Sequence, residues 1–146
     1  MSATAVAERL GGKRVLGRRI TSELELADAV RSGLPSSALD HVLAELTGTV
    51  ATQAEVYAVV GSARTLQRKR SARLALSVDE SDRLARLARM LVRAEEALGD
   101  AAKARRWLVS PNRALESERP LTLLDSDAGA LAVERVLGRI EHGVYG

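Results

Sequence analysis

The chain has 146 residues, room for one domain or two small ones, with 46% apolar and 28% charged residues and a formal net charge of +3. That composition excludes a disordered chain. The absence of Cys excludes disulfides, thiolate catalysis and the common zinc sites, and His41 and His142 stand apart from any second His. Trp107, Tyr57 and Tyr145 are the only aromatics, so the core has to be built from Leu, Val and Ala in helices packed on helices. The longest stretch free of charge, Leu46 to Ala54, is far short of the roughly 20 residues that span a bilayer, and the N-terminus has no apolar signal core. A soluble, cytoplasmic protein is expected. Charge is uneven: residues 1–76 carry 11 Lys/Arg against 7 Asp/Glu, whereas residues 77–146 carry 11 against 12.

In chain order, Met1 to Arg19 contains Gly11-Gly12 and a basic string of Lys13, Arg14, Arg18 and Arg19 without amphipathic pattern. A loose basic arm, partly helical and partly disordered, is expected over residues 1–20. Ser22 followed by Glu25 reads as a capping box opening a helix from Glu23 to Arg31, stopped by Gly33 and Pro35. Ser37 is the expected cap of the next helix, with Leu39, Val42, Leu43 and Leu46 on one face and Gly48 as its stop. Thr52 caps a two-turn helix with apolar Val56, Val59 and Val60. Gly61 then breaks it and Ser62 opens another, which together make a helix-turn-helix pattern within residues 21–76.

Ser77 with Glu80 is a second capping box and starts the longest periodic segment, with Leu84, Leu87, Ala88, Leu91, Ala94 and Leu98 on one stripe and Gly99 at its end. That stripe suits the core of a domain over residues 77–146 or, alternatively, a homodimer interface of the kind a reader of paired half-sites needs. Asp100 caps a helix whose inward face is Ala104, Trp107 and Leu108. Pro111-Asn112 turns the chain, Pro120 restarts a helix through Leu124, and Ser126 caps a last one with Val133, Leu137 and Ile140 in register. No alternating strand pattern occurs, so the expected fold class is all-α.

The segment from Thr52 to Arg73 has no acidic residue after Glu55, a one-signed surface. In helix-turn-helix proteins the second helix lies in the major groove, where Arg, Gln and Thr reach base edges and flanking Lys/Arg neutralise phosphates. Gln53, Arg64, Thr65, Gln67 and Arg68 suit contact with bases or their surroundings, and Lys69, Arg70 and Arg73 suit phosphates. The alternative is a plain solvated basic face. The usual regulator spacing also differs: Tyr57 is large where a small residue is usual, and Leu66 follows Gly61 by only five, a shortened turn that would rotate the second helix.

Catalysis finds no convergent set. Glu95-Glu96 and Glu141-His142 are the nearest to acid/base pairs, but neighbours on a helix point about 100° apart. No catalytic residue, metal ligand or cofactor site is expected.

Residues 84–146 resemble the toxin-binding domain of the Xre/MbcA/ParS antitoxin family. The resemblance rests on the long amphipathic helix, then Ala104, Trp107-Leu108, Pro111-Asn112, Leu115, Pro120, Leu124, Asp125, Gly129, Val133 and Leu137, and the tail from Ile140 to Tyr145. It implies a helix-turn-helix module ahead of a small helical toxin-binding domain. It also implies a RES-domain toxin that breaks down NAD as partner, and repression of the shared operon through operator DNA. Trp107, Asn112, Arg139, Glu141, His142, Gly143, Val144, Tyr145 and Gly146 are the residues it points to for toxin contact. A small, apolar tail after a charged helix end suits insertion into a partner's cleft, with Tyr145 as an aromatic anchor; a frayed terminus is the alternative. Rival functions are a regulator that answers to no toxin and a purely structural helical adaptor.

Overall fold

A computed structural model describes residues 2–47 and 51–143. Among them are helices α1 (Ala3–Arg9), α2 (Gly12–Leu16), α3 (Glu23–Ser32), α4 (Ser36–Leu46), α5 (Gln53–Val60), α6 (Ala63–Ala72), α7 (Val78–Leu98), α8 (Ala101–Leu108) and α9 (Asp127–Glu141). Two 3-10 turns, Arg113–Leu115 and Pro120–Asp125, join α8 to α9. No strand occurs among the described residues, only isolated bridges. The fold is all-α.

α7 is the spine, about 30 Å long. Its start is fixed by the expected capping box: Ser77 Oγ accepts from the Glu80 N–H at 3.1 Å, and Glu80 Oε1 accepts from the Ser77 N–H at 2.8 Å. Gly99, left-handed at φ 75°, ends it. Leu84, Leu87, Ala88, Leu91 and Ala94 are buried as the stripe requires, and Ala85, Met90, Val92 and Arg93 are buried as well. The helix is enclosed because α1, α3 and α5 pack on it from one half of the chain and α8 and α9 from the other. The stripe is therefore core, and one apolar cluster runs from Ala3 to Leu137 across segments 21–76 and 77–146.

Of the loose or partly helical arm expected, the N-terminal segment takes the helical form, in α1 and α2. Ser2 caps α1 by accepting from the Ala5 N–H at 3.1 Å, and Val6 and Leu10 are fully buried where α1 lies on α7. Its three apolar contacts at Ala3, Val6-Ala7 and Leu10 become a face only when α7 supplies the other side. Gly11 at φ 107° makes the turn into α2, and a Cβ there would sit 2.3 Å from Val15 Cγ2, so the turn requires glycine.

Local details differ from expectation at two caps. Pro35, not Ser37, is the N-cap of α4; Leu34 is drawn into the core, with its N–H donating to Ser81 Oγ of α7 at 2.8 Å, so the helix begins at Ser36. At α3, Ser22 Oγ accepts from the Glu25 N–H as expected, but the Glu25 carboxylate turns to the N–H and hydroxyl of Thr21 at 3.0 and 2.7 Å. Gly48, the expected stop of α4, lies outside the described residues; the helix ends at Leu46 with Thr47 as cap.

Between α8 and α9 the chain turns where Pro111-Asn112 places it. Asn112 Oδ1 accepts from the Ala114 N–H at 2.9 Å, and the Asn112 N–H donates to the Glu118 carbonyl at 3.1 Å. Trp107 is half-buried at the rim of the core and does not seal it, whereas Ala104, Leu108, Leu115, Leu121 and Leu124 go fully inside. Pro120 opens a 3-10 turn, not an α-helix, because α9 starts at once and its Gly129 packs directly on the Leu123 carbonyl.

A Cβ on Gly129 would fall 1.8 Å from that backbone oxygen, which cannot move aside as a side chain would. Gly129→Ala is expected to lower the unfolding free energy by about 1–3 kcal/mol. Thermal melting followed by circular dichroism, with a midpoint below that of the parent chain by several degrees, checks this; an unchanged midpoint contradicts it.

Candidate nucleic-acid interface and partner-binding end

The first site is built from α5, the Gly61-Ser62 turn and α6. The Thr52–Glu55 capping box starts α5, whose Val56, Tyr57, Val59 and Val60 are buried. Ser62 Oγ accepts from the Thr65 N–H at 3.4 Å, and fully buried Leu66 anchors α6. A Cβ at Gly61 would lie 3.3 Å from Glu80 Cγ, so the turn sits close against the first turn of α7. Tyr57 is tolerated at a position usually small because its ring lies in the core while its hydroxyl accepts from Arg70 Nη1 at 2.6 Å. The Arg70 guanidinium also stands 5.9 Å from the ring centroid and pairs with Asp40 of α4.

This geometry sorts the basic residues of α6 into two groups. Arg64, Gln67 and Arg68, spaced i, i+3 and i+4, share one exposed face, with Thr65 half-buried beside them and Arg73 exposed at the left-handed C-cap. Gln53 is exposed at the first position of α5. Lys69 and Arg70 are turned inward. Lys69 Nζ binds Glu80 Oε1 at 2.6 Å with 15% of its side chain exposed, so these two cations, expected to meet phosphates, brace α6 against α7, α4 and α5. Burial pushes the Glu80 carboxyl up, but its bonds from Lys69 and the Ser77 N–H hold it below the usual range.

The second site is the far end of α9. Arg93 of α7, only 9% exposed, donates from Nε to Glu134 Oε1 at 2.7 Å and from both terminal nitrogens to the two Glu141 oxygens at 2.9 and 3.0 Å. A bidentate fork of this kind fixes direction as well as distance. The Glu141 and Glu134 carboxylates hold the guanidinium charged, raising its pKa, and the Arg93 bonds hold Glu141 below the usual carboxylate range. Glu141 is thus paired within the molecule though still exposed, as are Arg139 before it and His142 and Gly143 after it. Asn112 is engaged in its own turn, and Trp107 keeps a partly exposed ring on α8. Val144, Tyr145 and Gly146 lie outside the described residues.

Sequence reasoning missed Arg93 and Glu134. Their signal was a single cation inside the apolar run from Leu91 to Ala94, which only a partner carboxylate explains. It also missed Arg119, whose pair with Glu55 ties the second 3-10 turn to the capping box of α5 and lowers the Glu55 carboxyl. Among the described residues no group of three or more His, Asp or Glu side chains is placed to hold a metal, and no helix is long and apolar enough to cross a membrane.

This arrangement defines a helix-turn-helix protein with an appended helical domain, and comparison with known proteins agrees. Residues 25–89 match the Antitoxin Xre-like helix-turn-helix domain, and residues 93–143 match the Antitoxin Xre/MbcA/ParS C-terminal toxin-binding domain; the two matches meet on α7. The chain is 31% identical over 136 residues to Antitoxin Xre of Yersinia enterocolitica, covering 90% of this chain and 88% of the relative. Antitoxin Xre of Photorhabdus laumondii is likewise 31% identical, over 133 residues and the same shares. Antitoxin Xre of Pseudomonas putida is 40% identical over 83 residues, 57% of this chain and 52% of the relative. The chain belongs to the Xre family of antitoxins.

Because its folded pKa is depressed, Glu141 contributes stability above the ordinary Glu value of about 4.3, and that contribution is lost as pH falls through the lower folded value. Carboxyl-carbon NMR is expected to show Glu141 titrating below an unpaired Glu, and Arg93→Gln to return it to the ordinary range. A Glu141 titration indifferent to Arg93→Gln contradicts the fork.

Proposed function

We propose that this chain is the antitoxin of a type II toxin–antitoxin pair whose toxin is a RES-domain, NAD-degrading enzyme, and that it acts without catalysis, metal or cofactor. In this reading the C-terminal end, from Arg139 through His142 and Gly143 to Val144, Tyr145 and Gly146, covers the toxin's active site, with Trp107 at the margin of the contact. α6 reads operator DNA of the shared operon as part of a homodimer in the cytoplasm.

One observation carries the proposal: the segment matching a toxin-binding domain, residues 93–143, begins at the very Arg that grips the end of α9. The fork holds the last turn of α9 while His142 and Gly143 stay exposed. A tail launched from a fixed helix end loses less freedom on entering a cleft than one launched from a frayed helix. For the DNA role, the support is the exposed face of Arg64, Gln67 and Arg68 beside Arg73, on a helix anchored by Leu66.

Deleting residues 143–146 is expected to leave folding and DNA binding unchanged but to abolish growth rescue when the chain is co-expressed with its toxin; full rescue would sink the tail's role. Arg64→Ala and Arg68→Ala are each expected to weaken operator binding by about 10-fold, in line with roughly 1–3 kcal/mol for a base-directed Arg. Gel-shift titration measures this, with neutralisation of the toxin unaffected.

A further inference from the structure

The basic string near the N-terminus has no part in the two sites above and lies outside both family matches, which cover residues 25–89 and 93–143. From Arg9 to Ser22 the chain has no acidic residue. Arg9 is used internally, pairing with Glu45 of α4 and Glu95 of α7. Lys13, Arg14, Arg18 and Arg19 are all exposed, and none of the four forms an ion pair among the described residues, unlike Arg31, Arg70, Arg86, Arg89, Arg93 and Arg119.

These cations stand on a firm base. α1 is pinned in the core by Val6 and Leu10, Val15 and Leu16 pack on that core from α2, and Ile20 is buried beyond. Left-handed Gly11 and Gly17 bound the turn, Thr4 Oγ1 donates to the Ile20 carbonyl at 3.3 Å, and Arg18 Nη2 donates to the Glu25 carbonyl at 3.1 Å. The backbone that carries the four displayed charges is therefore held in place, so only their side chains need to order on meeting a polyanion.

Their place in the fold says which polyanion. α4 has α6 along one edge, marked by the Asp40–Arg70 pair, and α1–α2 along the other, marked by the Glu45–Arg9 pair. Between those edges it exposes Ser37, Asp40, His41 and Ala44, and Asp40 is neutralised by Arg70. α2 and α6 thus both pack on α4 and flank its exposed face. A helix seated in a major groove has backbone phosphates along both flanks, where cations on a neighbouring helix meet them.

We propose that Lys13, Arg14, Arg18 and Arg19 form a second DNA-backbone contact, which takes phosphates flanking the groove that α6 enters. The inference rests on the DNA-binding reading of α6. Such a contact adds affinity without base preference and steepens the dependence on salt.

The full chain and its K13Q/R14Q and R18Q/R19Q variants are titrated by fluorescence anisotropy, over a salt series, onto the duplex upstream of its own gene and onto an unrelated duplex of equal length. Each double variant is expected to flatten the slope of log affinity against log salt by about 1–2, close to 0.9 per phosphate released. Affinity should fall alike on both duplexes, so the preference between them holds, and toxin neutralisation should match the parent. Slopes and affinities equal to the parent's overturn the proposal. So does loss of neutralisation at unchanged slope, which would assign the surface to a protein partner. A parent chain with no salt-dependent binding to either duplex would defeat the reading of α6 itself, an outcome distinct from a parent that binds and variants that bind equally well.

Discussion

α7 carries apolar side chains around most of its circumference, and helices from both halves of the chain cover them. Leu84, Leu87, Leu91 and Ala94 lose essentially all contact with water, and at about 25 cal/mol per Å² each buried Leu contributes on the order of 2 kcal/mol. Enclosing the helix needs α1, α3 and α5 from the N-terminal side and α8 and α9 from the C-terminal side. The helix-turn-helix unit and the helical unit behind it therefore share one core. Whatever disturbs one face of α7 is felt on the other, since close-packed interiors transmit strain.

Ion pairs add direction to that packing more than energy, since exposed pairs are worth about 0–1 kcal/mol each. Arg89 ties α7 to Glu23 at the start of α3, and Arg86 ties it to Asp127 at the start of α9 at 2.5 Å. Arg119 reaches from the turn before α9 to Glu55 in the cap of α5, a direct polar link between the two units. Arg93 is the most enclosed of these, and it ties the last turn of α9 to α7. Glu141 serves that architecture, while Arg139, His142 and Gly143 around it face solvent.

The basic residues show how one composition serves two purposes. Lys69 and Arg70 lie within the same run as Arg68, yet they brace α6, while Arg64, Gln67 and Arg68 face solvent. A helix repeats every 3.6 residues, so neighbouring cations in such a run cannot all point the same way. The large Tyr57 belongs to the same brace, its hydroxyl holding Arg70 where a smaller residue would leave a gap.

Much was legible in the sequence because it is governed by neighbours a few residues apart. The capping box at Ser77, the caps at Thr52 and Ser126, the stop at Gly99 and the buried faces of α4, α5, α7 and α9 follow from local hydrogen bonding and periodicity, and so does the all-α class. Tertiary structure decided what depends on distant partners. The N-terminal segment became α1 because α7 offered its apolar side. Pro35 displaced Ser37 as a cap because Ser81, far along the chain, took the Leu34 N–H. Trp107 stayed at the rim because leucines filled the interior, and Lys69, Arg70 and Glu141 were drawn into pairs with residues that spacing alone does not bring near. Sequence determines which way a helix faces; which charges that face keeps for a partner is set by the side chains that fold up against it.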